Sequence, residues 1–321
     1  MTLPVIALIL GLVALVWSAD RFVEGAVGTA RYFGVPSLFI GMLVIGFGTS
    51  APEMVVSGLS AFQGNPGIAL GNAFGSNIAN IALILGATAL ISPIPFPNSI
   101  LKKELPILTG ITLFTLILVW DGNVSRWDGL ILLSVFAFWI GNAIYKGLQQ
   151  RQVENSAKET VQLDKQEGIG SNVFWLLFGF FVLLGSSRAM VWGAVEVARF
   201  FEVSDMVIGL TVVAIGTSLP ELASSIMAAK KGEHNLALGN VIGSNLFNTL
   251  TVIGIASCIR PFNIDSSAVM RDGTLMLMLT LGLFCFGFSW RREPARIKRW
   301  GGSLLLTIYL SYVVFLVIQT F

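Results

Sequence analysis

The sequence predicts an all-α polytopic membrane protein, with ten transmembrane helices arranged as two inverted five-helix repeats. Three observations predict it. The chain of 321 residues is 55% hydrophobic and only 12% charged, with a mean hydropathy of +0.79. Soluble domains carry about 25% charged residues, so the charge here is too sparse to cover a water-facing surface and the bilayer must act as solvent. Ten stretches are long and apolar enough to cross the hydrocarbon core, and the chain repeats itself at a constant offset.

The spanning segments run approximately over 3–30, 37–62, 68–91, 104–121, 127–147, 171–200, 205–229, 236–259, 271–290 and 300–320. The first has no basic stretch before it, and its apolar run leads straight into Asp20 and Arg21. It therefore reads as a membrane helix rather than a cleaved signal. The only long polar stretch, Gln149 to Gly170, reads as a cytoplasmic linker between repeats at 1–148 and 171–321. Connections after the odd-numbered segments carry 14 Lys and Arg, against 4 after the second, fourth, sixth and eighth. By the positive-inside rule both termini then lie outside the cytoplasm.

The repeat is gapless. Val35 to Pro93 aligns with Val203 to Pro261 at an offset of 168, and 23 of 59 positions are identical. Gly25-Ala26-Val27 likewise matches Gly193-Ala194-Val195. With five segments per copy, an odd number, the second copy enters the membrane from the opposite face. Inverted repeats of this kind are the architecture of secondary transporters. Channels and membrane enzymes have no general need of them.

The strongest identity is GFGTSAPE, Gly46 to Glu53, against AIGTSLPE, Ala214 to Glu221. A carboxylate at membrane depth costs at least ~2.5 kcal/mol and should face a partner, a cavity or an ion. Neither segment holds a Lys or Arg near Glu53 or Glu221. Thr49 and Ser50 share a helical face with Glu53, as Thr217 and Ser218 do with Glu221. Pro52 and Pro220 cannot donate to the carbonyls of Gly48 and Gly216, so each helix should kink and expose main-chain oxygens.

A second shared block is ALGNAFGSNIAN, Ala69 to Asn80, against ALGNVIGSNLFN, Ala237 to Asn248. It adds Ser76, Asn80, Ser244 and Asn248 as oxygen donors, each pair one turn apart. Asn72, Asn77, Asn240 and Asn245 stand beside them, either as supporting residues or as interhelical glue. Gly71, Gly75, Gly239 and Gly243 form small-xxx-small patterns that should let helices approach closely. Carboxylate, hydroxyl and carbonyl oxygens suit a hard cation, and calcium accepts six to eight of them in irregular geometry.

Other features need less. The net charge of +2 carries no nucleic-acid signal. Cys258 and Cys285 read as packing residues, His234 as a loop residue, and Asp20, Arg21, Glu24 and Arg188 as residues that snorkel or pair locally. An intramembrane hydrolase would need a Ser–His pair or an Asp pair within the spans, and the sequence offers neither.

The doubled GTSxPE and GNxxGSN blocks resemble the α-repeats of the sodium/calcium exchangers, within the cation/calcium antiporter superfamily. The resemblance covers both halves. It implies that the second, third, seventh and eighth segments form the core, with the long first and sixth sliding across it. It also implies that Glu53 and Glu221 hold calcium and sodium in turn, helped by Thr49, Ser50, Thr217, Ser218, Ser76, Ser244, Asn80 and Asn248. The main-chain carbonyls of Gly46 and Ala214 complete that implied set. Asn at both 80 and 248 disfavours potassium co-transport, and the linker has no room for the calcium-sensing domains of animal relatives.

The expectation is therefore an antiporter exchanging Ca²⁺ for Na⁺ by alternating access, with a Ca²⁺/H⁺ antiporter as the alternative. It is expected to be no enzyme, to use no cofactor, and to have the bilayer and its two ions as partners, without an obligate protein partner. A bacterial cytoplasmic membrane is the expected location.

Overall fold

The computed structural model describes residues 2–158, 169–202, 214–263, 269–287 and 295–320. It is almost entirely helical. The helices are α1 (Thr2–Phe33), α2 (Ser37–Phe62), α3 (Gly67–Ile91), α4 (Leu105–Leu118), α5 (Arg126–Lys158) and α6 (Ile169–Phe200). The short α7 (Ala214–Thr217) and α8 (Leu219–Lys230) follow. After them come α9 (His234–Ile259), α10 (Val269–Gly287) and α11 (Arg299–Thr320). Among the described residues, eight helices are long and apolar enough to cross a membrane. The start of the predicted seventh segment, 205–213, lies outside the described residues. So do 159–168 of the predicted linker, whose earlier part continues α5 as far as Lys158.

Several helices contain π-helical turns, in which one extra residue enters the ladder and rotates the face that follows. They lie at Gly41–Ile45 in α2, Ala79–Ile84 in α3, Ile100–Glu104 before α4, Asn248–Val252 in α9 and Val269–Gly273 in α10. The offset of 168 carries 79–84 onto 247–252, so α3 and α9 share one distortion at equivalent places. Asn80 and Asn248 sit at the start of those turns.

The chain divides into two compact units. The first comprises Met1–Thr49, Gly141–Asn240 and Leu310–Phe321. Its main feature is the pairing of α1 with α6 through glycine. A Cβ at Gly25 would collide with the backbone of Leu176, and one at Gly193 with that of Leu8. A Cβ at Gly11 would press on Met190, and one at Gly179 on Phe22. Contacts that climb one helix as they descend the other make the pair antiparallel. Each contact has its repeat counterpart. Glycine here removes the side chains that would otherwise hold the two backbones apart. Gly41 and Gly239 do the same where α2 meets the start of α9, facing the carbonyls of Leu236 and Leu38.

The second unit comprises Ser50–Ile140 and Val241–Tyr309. Within it α3 and α9 are the most enclosed helices, with 72% and 83% of their apolar windows buried. That burial leaves their polar side chains to one another. The α5 helix closes on α9 through Gly129 and Gly254, and the rings of Phe136 and Trp139 pack on Phe247. Two antiparallel clasps of two residues each tie distant connections together. Ile94–Pro95 (β1) pairs with Arg296–Ile297 (β4), and Asn123–Val124 (β2) with Phe262–Asn263 (β3). The close approach expected of the small-xxx-small glycines is seen at Gly239, against the Leu38 carbonyl. No described atom lies within 4 Å of a Cβ built on Gly71 or Gly75. The stretch that would answer Leu38–Met42 in the second copy, 206–210, is outside the described residues.

Candidate cation site

The first unit holds Gly46, Thr49, Ala214, Thr217, Ser218 and Glu221. Thr49 is fully buried, and its hydroxyl donates to the Ile45 carbonyl at 3.0 Å and to Asn240 Oδ1 at 3.3 Å. Gly46 directly follows the π turn, and Ala214 opens α7. After Thr217 the helix breaks at Ser218 (φ −89°, ψ 4°), whose amide turns back to the Ile215 carbonyl at 3.1 Å. The kink argument holds here in detail: the Gly216 carbonyl, deprived of a partner by Pro220, accepts the Ser187 hydroxyl at 3.2 Å. Glu221 is 1% exposed in the first turn of α8. Its main-chain carbonyl accepts from Asn240 Nδ2 at 3.2 Å, and Asn240 also donates to Ser224 at 3.2 Å and Ser225 at 2.8 Å. The Ser218 hydroxyl is buried with no hydrogen-bond partner among the described residues.

The second unit holds Ser50, Glu53, Ser76, Asn80, Ser244 and Asn248. Glu53 is 1% exposed and neither carboxylate oxygen has a hydrogen-bond partner among the described residues. Burying a carboxylate without a partner costs several kcal/mol. Asn72 Nδ2 braces the main chain below, donating to the Glu53 carbonyl at 3.4 Å and to Ser57 at 3.1 Å. Ser76 donates to Asn72 Oδ1 at 3.5 Å. Asn80 Nδ2 donates to Asn245 Oδ1 at 3.0 Å, and Asn77 Nδ2 to Thr249 at 2.7 Å. That arrangement leaves Asn80 Oδ1, Asn77 Oδ1 and both polar atoms of the Asn248 amide, with the Ser50 hydroxyl, buried without hydrogen-bond partners among the described residues. Unsatisfied oxygens concentrated this way call for a physical explanation, and a bound cation would supply one.

Ser57, Ser224, Ser225 and Thr249 were not singled out from the sequence. Ser57 and Ser225 stand at the same offset of 168 and could have been found by it. Ser224 and Thr249 face Val56 and Ile81 in the other copy, so the repeat holds no signal for them.

The family profile described as "Sodium/calcium exchanger protein" matches residues 3–145 and 171–318. The chain belongs to the sodium/calcium exchanger family. Among its relatives, the sodium/calcium exchanger MaX1 of Methanosarcina acetivorans is 30% identical over 98% of this chain and 99% of its own. The inner membrane protein YrbG of Escherichia coli (strain K12) is 38% identical over 96% and 94%. A structure of the sodium-calcium exchanger NCX_Mj, soaked with 2.5 mM Na⁺ and 0.1 mM Ca²⁺, superposes with a TM-score of 0.83. It covers 97% of this chain and 98% of that one at 31% identity. As a member of the sodium/calcium exchanger family the chain is a multi-pass membrane antiporter for cations, not an enzyme. The oxygen-rich segments described above all fall within the matched residues.

Proposed function

We propose that this protein exchanges Ca²⁺ for Na⁺ across a bacterial cytoplasmic membrane by alternating access. The observation that carries the reading is Glu53, a buried carboxylate with neither oxygen hydrogen-bonded among the described residues. Its repeat counterpart Glu221 is buried as deeply. The two together carry a charge of −2, which one Ca²⁺ or two Na⁺ neutralise. Because both ions need the same carboxylates they compete, and exchange follows from the competition. Hydroxyls of Thr49, Ser50, Thr217, Ser218, Ser76 and Ser244, amide oxygens of Asn80 and Asn248, and carbonyls of Gly46 and Ala214 supply the neutral ligands. An empty, doubly charged site resists passage through apolar surroundings, which suppresses leak.

The ten-helix inverted repeat belongs to the same reading. It is supported by the antiparallel pairing of α1 with α6, which are repeat equivalents. It is supported again by the clasps. β1 and β4 follow odd-numbered spans, β2 and β3 follow even-numbered ones, and each clasp joins like to like. Both termini then lie outside the cytoplasm, as the charge count requires.

Gradient-driven ⁴⁵Ca²⁺ uptake into proteoliposomes tests the function. Uptake should require sodium inside and none outside, at fixed pH. Uptake driven equally well by a proton gradient without sodium would establish the Ca²⁺/H⁺ alternative, and flux without any counter-ion would indicate a channel.

A further inference from the structure

Among the polar side chains of the two motif blocks, Asn72 and Ser76 bond within their own copy of the repeat, and Asn77 and Asn80 reach across to the other. Asn240 does both. It is 1% exposed in α9, and its single planar amide serves two masters. The Nδ2 end donates to the Glu221 carbonyl at 3.2 Å and to Ser225 at 2.8 Å, in its own copy. The Oδ1 end accepts from Thr49 at 3.3 Å, 191 residues away in the first copy.

The direction of that last bond matters. A hydroxyl binds a cation through its lone pairs, so its one proton must point elsewhere. Thr49 has two acceptors to share that proton, the Ile45 carbonyl at 3.0 Å and Asn240 Oδ1 at 3.3 Å. The oxygen is thereby turned lone pairs outward before any ion arrives. The opposite end of the same amide fixes the main chain from which the Glu221 side chain springs. Asn72, the repeat counterpart, does less. It braces Glu53 and Ser57, but its oxygen takes the hydroxyl of Ser76, one turn along its own helix, at 3.5 Å.

We propose that Asn240 is a positioning residue that couples the two copies of the motif, setting Thr49 as a cation ligand and Glu221 in place at once. The proposal rests on the exchange reading above and deepens it. Residues that orient ligands are commonly worth 10- to 100-fold in metal affinity. A residue acting through both Thr49 and Glu221 should show that loss as weakened ion binding, not merely as less folded protein.

The test is a double-mutant cycle read by equilibrium ⁴⁵Ca²⁺ binding to purified protein, with sodium titrated as competitor. Asn240→Ala should weaken calcium binding about 10-fold or more and raise the sodium concentration needed for half-displacement. Thr49→Ala should weaken it too, and the double variant should fall well short of the product of the two effects, because both remove one interaction. Asn72→Ala combined with Thr49→Ala should instead multiply to within about twofold. If Asn240→Ala yields no folded protein, Asn240→Ser takes its place in the cycle. Folded Asn240 variants that keep both constants within about twofold of wild type, or that multiply with Thr49→Ala, overturn the coupling. Wild-type protein that binds no calcium overturns the exchange reading itself, and the coupling with it.

Discussion

The two copies of the GTSxPE motif carry the same residues on differently built helices. The first lies inside α2, which runs from Ser37 to Phe62 and passes through Pro52 without a break. The second is split at Ser218 between α7 and α8. Proline stands at the same place in both, so proline alone does not decide the outcome. The neighbours differ. Ser187 gives the Gly216 carbonyl a donor from outside its own helix. The first copy has Ala19 where the second has Ser187, and a Cβ at Gly48 would press on the ring of Phe180. A carbonyl that can turn to an outside donor leaves the ladder at lower cost, and the helix opens there. Identity between copies sets which groups are present. Residues outside the motif set how the main chain carries them.

The largest effect should come from the groups the copies share. Glu53→Gln and Glu221→Gln should each abolish calcium exchange in proteoliposomes while the protein still folds. Glu53→Gln should also raise the unfolding temperature in ion-free buffer, because it removes a buried charge that has no protein partner. Exchange surviving in one variant would remove that copy from the site.

An intermediate effect should come from the residue that separates the copies. Ser187→Ala leaves the Gly216 carbonyl without its donor, and hydrogen bonds between membrane helices average about 0.6 kcal/mol and reach ~2 kcal/mol. The variant should unfold at lower temperature and exchange amide protons faster around Ser218. If neither changes, the break at Ser218 does not depend on an outside donor, and the comparison above fails.

The smallest effect belongs to an ion pair found in one copy only. Lys231 reaches Asp20 at 2.8 Å and Glu24 at 4.0 Å, all of them part-exposed. The repeat places Gln63 and Arg188 at the positions of Lys231 and Asp20, so the other copy cannot form this pair. Lys231→Gln should cost about 0.2–1 kcal/mol in thermal unfolding, and the difference should vanish in high salt. A cost that persists in salt would mean the pair is shielded from solvent.

Much of this was legible because membranes simplify the code. Apolar length alone placed the third span at 68–91, against the observed Gly67–Ile91, and the second at 37–62, against Ser37–Phe62. The proposed site residues stood out in the sequence because nearly all appear twice, and charge at membrane depth rarely lacks a purpose. What was not legible depends on partners far along the chain. The π turns at Ala79–Ile84 and Asn248–Val252 follow no local propensity. The clasps are two residues long and join opposite halves of the sequence, too short to show a period. The break at Ser218 answers to Ser187 in another helix. Asn72 and Asn240 could be seen as polar and repeated, but whether each braced a neighbour or faced an ion depended on where its amide pointed.

The division of the chain into units that each draw on both halves has a consequence for biosynthesis. Translation delivers the first half long before its companions. The Asn80 amide meets Asn245 only after 165 more residues, and Asn77 meets Thr249 only after 172. Until then their Nδ2 groups enter the membrane without the acceptors they later find, and hydrocarbon offers no substitute. The early half must keep them in water, in the insertion machinery or in provisional company. Each unit draws on α11 as well as on the first half of the chain, so neither can close until that last helix has been made.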